Sequence, residues 1–219
     1  MMHNPVLKLE NIYKSYHQAN KKLEILNDFN LTVEKGQFAA ITGPSGSGKT
    51  TLLNIIGLID NLDRGELYLN GEDIINLSSD KKNQIRRENF GFIYQNYNLL
   101  ENFNAIENVS LPLILNGVKR DEAFNRAYNI MKIFSVDNRL SLFPNSLSGG
   151  EQQRIAISRA LVNKPEIIIA DEPTGNLDHV NSSKVFNYLV NYVESENMTL
   201  IMATHNIEWS KRADLNVEL

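Results

Sequence analysis

An α/β fold on a mainly parallel sheet, with an antiparallel β part near the N-terminus and a helical subdomain inserted later, is predicted for this 219-residue chain by three observations. Ile167-Ile168-Ile169-Ala170 and Thr199-Leu200-Ile201-Met202-Ala203 are unbroken apolar runs, which suit strands buried on both faces between helices. Helical segments separate such runs, and that alternation points to a parallel sheet. Near the N-terminus the pattern changes to period two, the mark of strands with one wet face.

Val6 to Asn11 alternates apolar and polar residues, and Leu67-Tyr68-Leu69 does the same ahead of an Asn70-Gly71 turn, so both predict antiparallel strands. Phe38-Ala39-Ala40-Ile41-Thr42 is a short apolar strand running into a glycine-rich turn. After that turn, Thr51-Leu52-Leu53-Asn54-Ile55-Ile56 has helical spacing and is ended by Gly57. Between Gln95 and Ser146 the strand-like runs disappear. A helix is predicted there over 120–134, because Ala123, Phe124, Ala127, Ile130, Met131 and Phe134 fall on one apolar stripe. The expected organisation is a single domain over 1–219, with a core made of 1–95 and 159–219 and a helical subdomain over 96–158. No internal repeat or low-complexity linker interrupts it.

With 42% hydrophobic residues the chain can bury a sizeable core. A net charge of −4 gives no electrostatic footprint for nucleic acid, and Lys81-Lys82 with Arg86-Arg87 reads as a solvated helix face. The absence of cysteine excludes disulfides and thiolate metal sites. Met1-Met2-His3-Asn4-Pro5 lacks the basic start and apolar core of a secretory leader, and no window of about 18 consecutive apolar residues exists. The chain is expected to be soluble without direct lipid insertion, so any membrane role falls to a partner.

The glycine-rich turn carries the chemistry. Gly43-Pro44-Ser45-Gly46-Ser47-Gly48-Lys49-Thr50 fits a phosphate-binding loop, placed between a strand and a helix as that motif requires. Its glycines let successive N–H groups face one concavity, and the following helix presents its positive end there. Lys49 would reach the β- and γ-phosphates, Thr50 would give its hydroxyl oxygen to Mg²⁺, and Thr51 completes the nucleotide-binding run. A second acid for the metal belongs at the end of a buried strand, and Asp171 ends one. Glu172 follows it. Adjacent side chains on an extended strand point to opposite sides, so a departure near Pro173 is expected to turn Asp171 toward Mg²⁺ and Glu172 toward the γ-phosphate as base or water-orienting group.

Leu147-Ser148-Gly149-Gly150-Glu151-Gln152 resembles the signature motif of the ATP-binding cassette (ABC) family, and the likeness runs from about Leu7 to Val217 with every station in order. The resemblance implies a P-loop NTPase core using ATP and Mg²⁺. It places at Tyr16 an aromatic that stacks on adenine, with Tyr13 a nearby competitor. Gln95 corresponds to the glutamine that touches Mg²⁺ and the attacking water and senses the transporter partner. Asp178 corresponds to the acid of Gly175-Asn176-Leu177-Asp178, and His205 to the switch histidine at the γ-phosphate. Ser148, Gly149, Gly150 and Glu151, at a helix expected to begin near Glu151, would close over ATP held by a second copy, giving a head-to-tail homodimer.

Phe92-Ile93-Tyr94-Gln95-Asn96-Tyr97-Asn98-Leu99-Leu100, Ala105 to Val109 and Pro112-Leu113 resemble the ATPases of lipoprotein-releasing systems. Ala160-Leu161-Val162-Asn163 and Ala170 to Asp178 strengthen that likeness, although macrolide-exporter and cell-division ATPases share them. The implied role is a peripheral ATPase on the cytoplasmic face of the bacterial inner membrane, docked on integral membrane permeases and powering lipoprotein release. A macrolide or peptide exporter and a cell-division signalling module are the alternatives. Tyr97-Asn98 stands where that group commonly has two histidines, and the sequence stops at Leu219, where relatives continue into an Asp-Gly turn and another short strand. The ATP site is expected to be intact without that continuation.

Overall fold

The computed structural model describes residues 5–18 and 21–219, and Met1–Asn4 of the stretch that lacks a leader pattern lie outside the described residues. The chain packs as two compact units. One runs up to Arg86 and adds Thr199–Leu219, and the other is Arg87–Met198.

In the first unit, β1 (Leu7–Gln18), β2 (Lys21–Val33), β4 (Arg64–Leu69) and β5 (Glu72–Asp73) form an antiparallel sheet in the order β2-β1-β4-β5. The expected Asn70-Gly71 turn joins the last two strands, which pair Leu69 with Glu72 and Tyr68 with Asp73. The β1–β2 register shifts between Leu9 and Ile12, between Ile12 and Lys14, and between Lys14 and Ser15. At the first shift Asn11 takes φ 50°, and its side-chain amide donates to Asp28 Oδ1 at 2.9 Å, where Asp28 itself has φ 53°. Such bulges reset the alternation, so β2 leaves no clean period-two signal in the sequence. Leu7, Leu9, Ile12, Val33 and Leu67 form the dry face, all at 1% exposure or less. Each such side chain contributes roughly 1.5–3 kcal/mol by leaving water.

The same unit carries a parallel ribbon in which β3 (Phe38–Thr42) lies between β8 (Thr199–Ala203) and β9 (Leu215–Glu218). Ile41 is paired with Ala203 on one side and Val217 on the other. Every residue of β8 is buried, as its unbroken apolar run implies. Helix α1 (Lys49–Ile56) follows β3 and buries Leu52, Leu53, Ile55 and Ile56. Helix α2 (Ser79–Asn89) begins in this unit, and its basic cluster is not wholly solvated. Arg86 donates to the Leu58 carbonyl at 2.5 Å and to Asn83.

The second unit pairs β6 (Phe90–Tyr94) with β7 (Ile167–Asp171) in parallel. Its helices are α3 (Ala105–Leu115), α4 (Arg120–Ile133), α5 (Gly149–Leu161) and α6 (His179–Ser195). Most of the predicted stripe holds: Ala123, Ala127, Ile130 and Met131 are buried in α4, and Phe134, fully buried at its C-cap, packs its ring 5.7 Å from that of Tyr192, whereas Phe124 is only half-buried, with the Arg120 guanidinium over its ring at 5.1 Å. Helix α5 begins at Gly149, two residues ahead of the expected start near Glu151. Ser148 and Glu151 form a capping box, which draws both intervening glycines into the first turn.

Candidate functional site

The expected functional residues divide into two sets, one in each unit. In the first unit, the phosphate loop leaves the C-terminal end of β3, the central strand of its ribbon. Gly48 is the N-cap of α1 at φ 101°, and a Cβ there would lie 2.5 Å from Ile25 Cγ2, so only glycine fits this turn. No side chain caps α1, and no acid occupies its first turn. Its positive helix end is thus not offset by a capping side chain or an acid of its own first turn.

Pro44, Ser45, Gly46 and Thr50 are exposed, and the Cβ direction at Gly46 meets nothing within 4 Å. Ser47 Oγ is buried in the loop without a hydrogen-bond partner. Lys49 folds its ammonium over the loop, donating to the carbonyls of Gly43 and Pro44 at 2.8 Å each. An uncapped helix start, an open glycine face, an orphaned hydroxyl and a poised cation together fit a polyphosphate.

His205 stands at the same edge. The strand β8 is paired with β3, Thr204 N donates to the Ile41 carbonyl at 3.1 Å, and exposed His205 follows directly. The C-terminal ends of two neighbouring parallel strands therefore present the phosphate loop and the histidine side by side. Tyr16, at 40% exposure, hydrogen-bonds Asp60, while Tyr13 lies under the Arg64 guanidinium, 5.5 Å from its ring centroid. The Asp60 hydrogen bond and burial push the Tyr16 phenol above its ordinary value.

In the second unit, Tyr94 is paired with Asp171, so Gln95 and Glu172 leave equivalent ends of neighbouring strands. The turn comes at Glu172 itself, ahead of Pro173. Its φ is 45°, and its carbonyl accepts from Gly175 N at 3.0 Å. A left-handed conformation costs a non-glycine residue roughly 1–3 kcal/mol and clusters at functional sites. It breaks the alternation that would send Asp171 and Glu172 to opposite sides. Gln95 Nε2 donates to Asn176 Oδ1 at 3.2 Å, and Asn176 Nδ2 donates back to the Gln95 carbonyl at 3.0 Å. Asp178 caps α6, accepting from Asn181 N at 3.0 Å, and this bond holds its carboxyl below the ordinary value.

Ser148 Oγ donates to Glu151 Oε2 at 3.0 Å, the Ser148 N–H does so at 2.8 Å, and Arg139 Nε reaches the other carboxylate oxygen at 2.7 Å. The Arg139 guanidinium, then the Ser148 N–H, hold Glu151 below its ordinary value against the opposing effect of burial. A Cβ on Gly149 would lie 2.8 Å from the Tyr97 hydroxyl, so Tyr97 packs directly on the start of α5. Arg159, nearly three turns along that helix, donates to the carbonyls of Tyr97 and Asn98 at 2.9 and 2.6 Å. Asn176, Arg159 and Arg139 were assigned no role from sequence. Their partners lie 81, 62 and 12 residues away, and only for Arg139 does a local signal exist, the Ser148–Glu151 capping box that it extends.

Among the described residues no helix is long and apolar enough to cross a membrane. The family described as ABC transporter matches residues 26–175. The lipoprotein-releasing system ATP-binding protein LolD of Nitrobacter hamburgensis is 44% identical over 98% of this chain and 93% of its own. That of Rickettsia bellii is 45% identical over 97% and 94%. The dimeric ATP-binding cassette MJ0796 bound to ADP and Pi superposes with a TM-score of 0.90 at 38% identity, covering 97% of this chain and 94% of that one.

Proposed function

Because the chain belongs to the ABC transporter family, we propose that it is the ATP-hydrolysing subunit of a complex that releases lipoproteins from a bacterial inner membrane. The observation that carries this reading is likeness over nearly the whole chain to proteins that bear that name. The phosphate loop supports the chemistry, with its uncapped helix and its lysine already turned inward.

Gly43 to Thr51 bind the triphosphate of ATP through backbone N–H groups and Lys49, and Tyr16 stacks on adenine. Thr50, Gln95 and Asp171 offer the hard oxygen donors that suit Mg²⁺, which supplies charge neutralisation at the β- and γ-phosphates. Glu172 orients the attacking water and takes its proton, and His205 holds the γ-phosphate in line. The strained backbone at Glu172 is consistent with a carboxylate placed for reaction. Ser148, Gly149, Gly150, Glu151 and Asp178 act across a head-to-tail dimer on ATP held by the second copy. The solved dimeric cassette bound to ADP and Pi is a relative that assembles in pairs. Integral membrane permeases anchor the pair peripherally at the cytoplasmic face.

Phosphate release from Mg·ATP by the purified chain tests the enzyme. Glu172→Gln should retain ATP binding and lower turnover by about 10²–10⁴-fold, the range for loss of a general base. Turnover at the wild-type rate would remove Glu172 from the chemistry. Reconstitution with the membrane partners, followed by assay of lipoprotein freed from the bilayer, tests the cargo.

A further inference from the structure

The chain that leaves the phosphate-loop helix turns back to grip the tyrosine assigned to adenine. Lys14 and Tyr16 are two apart on β1 and so emerge on one face of the strand. Lys14 is only 8% exposed, and its ammonium lies 4.8 Å from the centroid of the Tyr16 ring. The same ammonium donates to Asp60 Oδ1 at 3.0 Å and to the Asn61 carbonyl at 2.6 Å. The second oxygen of Asp60 accepts from the Tyr16 hydroxyl at 2.5 Å. Asp60 itself is fixed to α1, since the N–H groups of Ile59 and Asp60 both donate to the Asn54 carbonyl, at 2.8 and 3.1 Å.

Tyr16 is thus held at its hydroxyl and across one face while remaining 40% exposed. A half-exposed tyrosine near the end of a strand would otherwise sample several rotamers, and fixing them at binding costs affinity. We infer that Lys14 and Asp60 are positioning residues for the nucleotide base, joining the Tyr16 ring to the phosphate-loop helix so that base and triphosphate sites keep one spacing. This rests on the proposed stacking of Tyr16 on adenine. The pair touches no substrate. Its contribution is to spare the ring its ordering cost, so it acts on the part of affinity that the base supplies and leaves the phosphate part alone.

The test titrates the purified full chain, in Mg²⁺, with ATP and with inorganic tripolyphosphate, which has no base. Asp60→Ala and Tyr16→Phe should each weaken ATP about fivefold, the cost of ordering one freed side chain, with tripolyphosphate binding unchanged. The double variant should fall well short of the combined losses of the two single ones, because both remove the Tyr16–Asp60 hydrogen bond. Tyr16→Phe keeps the ring and its burial, so it reports the clamp even if Asp60→Ala proves unstable. Additive losses, equal losses for tripolyphosphate, or unchanged ATP affinity in Tyr16→Phe would overturn the inference. A wild-type chain that binds ATP no tighter than tripolyphosphate would overturn the stacking assignment and the clamp with it. Failure to bind either ligand would overturn the nucleotide reading as a whole.

Discussion

Among the described residues, helices α1 and α5 follow glycine-bearing turns, and they begin in opposite ways. Helix α1 follows its N-cap Gly48 with no side-chain cap and no acid in its first turn. Helix α5 starts after Ser148 with a closed capping box, braced from outside by Arg139. Both presented the same kind of sequence, a glycine cluster ahead of a helix, and both suggested an anion cradle. At α1 the N-cap is a glycine with no side chain to offer and a lysine lies over the loop, an arrangement that fits a triphosphate. At α5 the Ser148 and Glu151 N–H groups are already paired with each other's side chains. What the capping box leaves unpaired by side chains of its own is the Gly149 and Gly150 backbone, the part of the helix start that the proposed dimer would use.

The sharpest way to break this contrast is to remove a charge from one start and a cap from the other. Lys49→Ala should weaken ATP on the order of a hundredfold or more, since charge-assisted bonds to phosphate are lost, while Ser148→Ala should leave ATP affinity of the monomer unchanged. Equal losses, measured by calorimetry, would erase the distinction. A smaller effect should appear in stability. Ser148→Ala opens the capping box at a cost of about 1 kcal/mol, read as a shift in denaturant midpoint, and an unshifted midpoint would mean the box contributes nothing.

The smallest effect is in pH. Glu151 is held below its ordinary value of 4.5 by Arg139 and then Ser148. Its folded carboxylate is therefore favoured over the unfolded one, and that stabilisation is complete above about pH 4.5 and disappears as acid carries the solution through the lowered folded value. Glu151→Gln should remove this component, giving a shallower fall in melting temperature between neutral pH and acid than wild type shows. Parallel curves for the two proteins would refute it.

Much of this was legible because the signals were local. Unbroken runs at 167–170 and 199–203 became buried parallel strands, the stripe on 120–134 became α4, and the Asn70-Gly71 turn formed where it was read. The start of α5 was misplaced although its Ser-x-x-Glu pattern was present, because two glycines look like a loop until the cap that recruits them is noticed. The strand β2 was hidden by bulges that reset its period. Other features had no local signal at all. Lys14 meets Asp60 across 46 residues and Gln95 meets Asn176 across 81, and such pairs exist only once the whole chain has taken its path.

Arg159 makes another such long-range pair, 62 residues from Tyr97. Its guanidinium, pushed by burial below the ordinary value, spans the carbonyls of Tyr97 and Asn98 from the flank of α5, while the Tyr97 ring abuts Gly149 at the head of that helix. Separating the stretch after Gln95 from α5 would strip a desolvated cation of two charge-assisted bonds, each worth about 1.5–3 kcal/mol. The stretch after Gln95 is thus fastened to α5 at the head of the helix and along its flank, so moving either alone breaks these contacts.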